Sequence, residues 1–128
     1  MDDFYFRKLD VYKNSKEFSK HIYSLLNFFP AEEKFGLCSQ LRRAVTSIPI
    51  NMAEGFGRVS AKEKSHFIEI AYGSTTEVLC ELELSFELNY ISEEQFINAE
   101  NKLIVIAKQL SALRTSIINN GDSTKKTY

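Results

Sequence analysis

The eighteen residues from Leu41 to Arg58, LRRAVTSIPINMAEGFGR, restrict the fold more than any other stretch of the chain. On a helical wheel Leu41, Val45, Ile48 and Met52 fall within roughly 60° of one another, while Arg43, Ser47, Asn51, Glu54 and Arg58 share a wedge of about 80° on the far side. The stretch therefore reads as a helix with one face that needs a core and a polar line opposite. That line mixes one carboxylate and two guanidinium groups with a hydroxyl and an amide, the composition of a hydrogen-bond network rather than of a solvated Lys/Glu face. Pro49 interrupts the apolar rhythm, where it removes a backbone hydrogen bond and kinks a helix at roughly 3 kcal/mol unless tertiary contacts compensate. Gly55 and Gly57 read as the helix stop.

The rest of the 128 residues carries only two prolines and five glycines, which favours long helices over a turn-rich sheet. The opening Met1 to Lys8 holds Phe4, Tyr5 and Phe6 and is expected to pack as an aromatic arm. Asp10 suits an N-cap, and Val11, Ser15, Phe18, Ile22, Leu25 and Phe29 follow in a 4-3-4-3-4 spacing that Pro30 closes. The carboxylates of Ala31-Glu32-Glu33-Lys34 suit the start of the second helix, which runs to about Phe56. Ser60-Ala61-Lys62-Glu63 and Ser92-Glu93-Glu94-Gln95 are capping boxes, placing a third helix from Ala61 to about Tyr90 and a fourth after Ser92. Phe96, Ala99, Leu103, Ile106, Leu110, Leu113 and Ile117 give the fourth helix the most regular stripe, and Asn119-Asn120-Gly121 should end it. Short connections make neighbouring helices antiparallel. The fold expected is all-α, an up-down-up-down four-helix bundle over residues 1–118, followed by a disordered polar tail, 119–128.

The third helix carries two stripes, Ile68, Tyr72, Thr75, Leu79, Leu82 and Phe86 against Ile70, Gly73, Glu77, Cys80, Leu84 and Leu88, with centres roughly 165° apart. A bundle helix buries one face, so the second stripe calls for another cover, either a second subunit or the aromatic arm. Gly73 in mid-helix, at about 1 kcal/mol relative to alanine, points to another backbone in close approach. Glu77 on the second stripe needs a partner, and Arg43 is the candidate.

Net charge is −1, against a strongly basic nucleic-acid-binding domain, yet residues 42–64 balance to +3 and residues 65–90 to −5. Such segments on neighbouring helices can pair within the bundle or across subunits. Cys38 and Cys80 read as buried reduced thiols, and with no leader-like or membrane-spanning run the chain is expected in the cytoplasm, away from the membrane. Catalytic signals are thin. Glu63-Lys64-Ser65-His66 offers a single Glu-x-x-His where a di-iron bundle uses two, and the other histidine, His21, stands in a different helical context. No nucleophile elbow or phosphate loop is present. No metal, cofactor or catalytic residue is assigned, and a non-enzyme is expected.

The run Gln40-Leu41-Arg42-Arg43-Ala44, then Ser47-Ile48-Pro49, then Asn51 to Arg58, followed by Ala71-Tyr72-Gly73-Ser74 and Glu77, closely resembles the bacterial four-helix-bundle family of proteins encoded in intervening sequences of 23S ribosomal RNA genes. The resemblance spans roughly residues 4 to 118. It implies a small homo-oligomer, typically five-fold. It also implies kinship in fold with the accessory protein of diversity-generating retroelements, which binds nucleic acid and a reverse transcriptase. On that footing Arg43, Ser47, Asn51, Glu54, Arg58, Gly73 and Glu77 are the expected structural and interface network. RNA or another nucleic acid would meet Arg42, Arg43, Arg58, Lys62 and Lys64. The alternative is a scaffold or accessory subunit that binds another protein and no nucleic acid.

Overall fold

The computed structural model describes residues 4–121, so the start of the arm and the tail beyond Gly121 lie outside the described residues. Four helices make up the fold: α1 (Asp10–Leu25), α2 (Leu37–Phe56), α3 (Ala61–Glu87) and α4 (Glu93–Asn120), with no strand among the described residues. Each packs on its neighbours in chain order, and α1 closes the ring against α4. Arg43 meets Glu77, Ser47 meets Ser74 and Gly55 meets Phe67, so positions advancing along α2 retreat along α3 and the two run antiparallel.

Local chemistry sets most boundaries. The Ser60 hydroxyl accepts from the Glu63 amide, and Ser92 and Gln95 form a reciprocal capping box. Asp10 is not the N-cap of α1. Leu9 takes that place, and Asp10 lies in the first turn, where a carboxylate favours the helix dipole. α1 also stops earlier than its stripe suggests, at Leu25, and passes into a 3-10 turn over Leu26–Phe28 before Pro30. α3 ends at Glu87 because Asn89 turns left-handed (φ 64°), and the Asn89 and Tyr90 amides then donate to the Phe86 and Ser85 carbonyls, a Schellman closure. α4 takes in Asn119 and Asn120 before Gly121 (φ 63°) ends it.

The core is the apolar face of α2 with its surroundings. Leu41, Val45, Ile48 and Met52 are fully buried, joined by Phe18 and Ile22 from α1, Ile68 and Leu82 from α3, and Leu103, Ile106 and Leu110 from α4. Pro49 sits inside α2 without breaking it. The carbonyl its missing N–H would have served is that of Val45, four residues earlier. The buried Ser19 hydroxyl of α1 reaches that carbonyl at 3.2 Å, sharing its proton with the Ser15 carbonyl at 3.0 Å. An α1 side chain thus supplies the donor that α2 lacks.

Gly55 and Gly73 take roles other than the expected ones. Gly55 lies inside α2, where a Cβ would come within 3.0 Å of Phe67 Cβ and 3.2 Å of the Lys64 carbonyl, so it is Gly55 that permits close approach of α2 to α3. A Cβ on Gly73 would meet nothing within 4 Å. The described part of the arm lies across α1 and α2, with the Phe6 ring 5.0 Å from Tyr12 and 6.1 Å from Phe56, and packs on those two helices rather than on the second stripe of α3. Ser19→Ala should strand the buried Val45 carbonyl and lower unfolding free energy by about 1–2 kcal/mol, read from urea denaturation. Unchanged stability would show that the carbonyl has another donor.

Candidate functional site

The polar line of α2 lies along the seam with α3 and ties into it step by step. The Arg43 guanidinium pairs with Glu77 across the seam, as the charges suggest, but both side chains keep solvent contact (65% and 38% exposed). A pair this wet contributes at most about 1 kcal/mol, less than a desolvated pair would. One turn on, the Ser47 hydroxyl donates to the Ser74 hydroxyl, which donates in turn to the Ile70 carbonyl at 3.2 Å, with the Ala44 carbonyl 2.8 Å from the same Ser47 oxygen. Asn51 turns back to its own helix and donates to the Ser47 carbonyl at 2.8 Å. Arg58 pairs with Glu54 at 3.3 Å and lays its guanidinium 4.7 Å from the centre of the Phe67 ring of α3.

α3 meets α2 along a buried row at 3-4-3-4 spacing, in which the small residues Ala71, Ser74, Val78 and Ser85 are joined by the larger Glu81. Of the first apolar stripe, Ile68, Thr75 and Leu82 are buried while Tyr72 is 42% exposed. The second stripe is uncovered within the described chain, with Ile70, Leu84 and Leu88 exposed and Gly73 facing open space. Cys80 stands exposed on that stripe as a free thiol, against the expectation that it would be buried. Cys38 is buried, and burial pushes its thiol up.

Glu81 is the residue that the spacing of large apolar side chains does not reveal. It is 4% exposed, one turn from Glu77, and its Oε1 has no hydrogen-bond partner. Burial, then the neighbouring Glu77 charge, raises its carboxyl to about 7, and Arg43 only partly offsets them. At the other end of the seam Glu33 accepts from the Leu37 amide at 3.0 Å and the Tyr90 hydroxyl at 2.8 Å, two bonds that hold its carboxyl below the usual range and cap α2.

The cations expected to meet nucleic acid are mostly engaged inside the bundle. Arg42 donates to the Lys34 carbonyl at 3.0 Å, Lys64 is buried with its Nζ 3.2 Å from the Val59 carbonyl, and Arg43 and Arg58 hold their carboxylates. Lys62 is exposed with no partner among the described residues. A second cationic surface, not read from the sequence, runs along the arm and α1. Arg7 lies over Phe4, Lys8 over Tyr5 and Lys16 over Tyr12, at 5.9, 6.0 and 4.7 Å. His66 lies beside Phe67, while the Nε2 of His21 is buried without a partner, and burial, then Lys102, lowers its pKa. Among the described residues no group of three His, Cys, Asp or Glu gathers as for a metal ion, and no helix is long and apolar enough to cross a membrane.

Comparison with known proteins agrees with this architecture. The sequence model of a family described as 23S rRNA-intervening sequence protein matches residues 7–112. Among solved structures, the chain is similar to a protein with unknown function from the S23 ribosomal protein family of Bacteroides thetaiotaomicron. The two are 30% identical, with 81% of this chain and 97% of that one covered at a TM-score of 0.75. No curated protein matches.

Glu81 makes stability depend on pH. Its folded carboxyl titrates near 7 and an unfolded glutamate near its ordinary value of 4.5, so the protonated form's contribution is complete below about pH 4.5 and is lost as pH rises to about 7. Glu81→Gln should remove that slope and gain about 3 kcal/mol over the parent at pH 8, in urea melts from pH 4.5 to 8. Parallel pH profiles for parent and variant would refute the shift.

Proposed function

This chain belongs to the 23S rRNA-intervening sequence protein family, and we propose that it serves there as a non-enzymatic subunit that assembles with copies of itself through the open face of α3. One observation carries the reading. Ile70, Leu84 and the C-cap Leu88 are exposed along a single face of the 27-residue α3, with a glycine at its middle whose absent Cβ would face only open space. Mid-helix glycine is unfavourable by about 1 kcal/mol, and nothing within the described chain uses the room it leaves. A second subunit's backbone against Gly73 would use that room, and its apolar surface would cover the stripe. A ring of five is the assembly the family resemblance implies. The Arg43 and Glu77 pair would lie at its margin, where further exclusion of water would strengthen it. The assembled particle then acts as a scaffold for a macromolecular partner in the cytoplasm.

A nucleic-acid ligand is the second reading, favoured by the cations set over aromatic rings on the arm and α1. Rings and cations together are what single-stranded nucleic acid stacks and pairs on, and repetition around an assembly would multiply a modest charge.

Gly73→Leu separates these statements from a monomeric fold. A Cβ at position 73 meets nothing within 4 Å and leucine improves helix propensity, so the subunit keeps its helical circular dichroism. By light scattering the parent should weigh a larger multiple of 14.7 kDa than the variant, whose α3 face is blocked. Equal masses would defeat the proposal. Repeating the parent run with equimolar structured RNA tests the second reading, which requires added mass at low salt that disappears at high salt.

A further inference from the structure

α4 carries a second apolar row that the bundle does not use. Ile97, Ile104, Ser111 and Ile118 recur at every seventh position, the period of a coiled-coil seam. The three isoleucines are 46%, 43% and 48% exposed, although Leu103, Ile106 and Leu110 bury the core side of the same helix. Beside Ile104 a groove of about 360 Å³ opens between α3 and α4, lined by Leu79, Leu103 and Ala107. Glu100 and Lys108 stand at the same groove, and neither has an ion-pair partner among the described residues. They lie one helical turn before and one turn after Ile104.

A face with a carboxylate one turn to one side of its centre and an ammonium one turn to the other is complementary to itself when turned end for end. We propose that this face is an isologous contact between two copies of the chain. α4 packs antiparallel on α4 of the other copy, Ile104 lies on the two-fold axis, and Glu100 of each copy faces Lys108 of the other. An unrelated apolar helix could cover the isoleucines, but a second copy already carries the charges that match the change of sign about Ile104. The contact extends the self-association reading to a different side of the molecule. Gly73 and Leu84 take no part in it, so two such assemblies could be joined back to back.

Charge exchange tests the register. In a Leu84→Glu chain, whose α3 face carries an added charge, sedimentation equilibrium should still find a dimer. Glu100→Lys or Lys108→Glu alone sets like charges opposite each other at both symmetric positions and should weaken that dimer about tenfold. The two together should restore it to within about threefold of the Leu84→Glu parent. A monomeric Leu84→Glu chain at every concentration overturns the proposal and leaves the face to a different protein. Single reversals without effect, or a double variant as weak as the singles, overturn the pairing. If the unsubstituted chain and Leu84→Glu weigh the same, it is the α3 reading that fails, while the charge exchange still decides the α4 contact.

Discussion

The close approach of α2 to α3 is the constraint on which the rest of the molecule depends. It needs room from both helices: Gly55 on α2, and Ala71, Ser74, Val78 and Ser85 on α3. Small side chains let the backbones come near, and nearness in turn lets short groups such as Ser47 and Ser74 bond directly across the seam. The full burial of Leu41, Val45, Ile48 and Met52 follows, because α2 is then enclosed by α1, α3 and α4. Pro49 is tolerated for the same reason. A helix held this firmly can lose one backbone donor, provided that Ser19 serves the Val45 carbonyl from α1.

Much of this was legible in the residues, and the parts that were not share a physical cause. Apolar periodicity found all four helices and the core face of α2, since large buried side chains recur at 3.6 residues whatever surrounds them. Capping chemistry placed the starts at Ser60 and Ser92 for a reason equally local. The row by which α3 meets α2 was hidden because small residues and one buried carboxylate carry no hydrophobic signal. The same blindness exchanged the roles of Gly55 and Gly73. A glycine near a helix end looks like a stop, and only the position of Phe67 shows that Gly55 is there for clearance. The polar line was visible as a set. Its Arg43 and Glu77 pair could be guessed from charge, whereas the partners of Arg42 and Lys64 are backbone carbonyls that no charge pattern reveals.

Packing α3 tightly along its small-residue row leaves the stripe beside that row to solvent. Ile70, Leu84 and Leu88 are the consequence, and Cys80 stands among them as a free thiol while Cys38 is sealed in the core. The most direct test of the central claim is the rate at which Cys80 reacts with a soluble thiol reagent as a function of protein concentration. If copies cover this face of α3, Cys80 reacts slowly in concentrated protein and faster on dilution, with Cys38 protected throughout. If Cys80 reacts as fast as an unhindered thiol at every concentration, the face is never covered and the account is wrong.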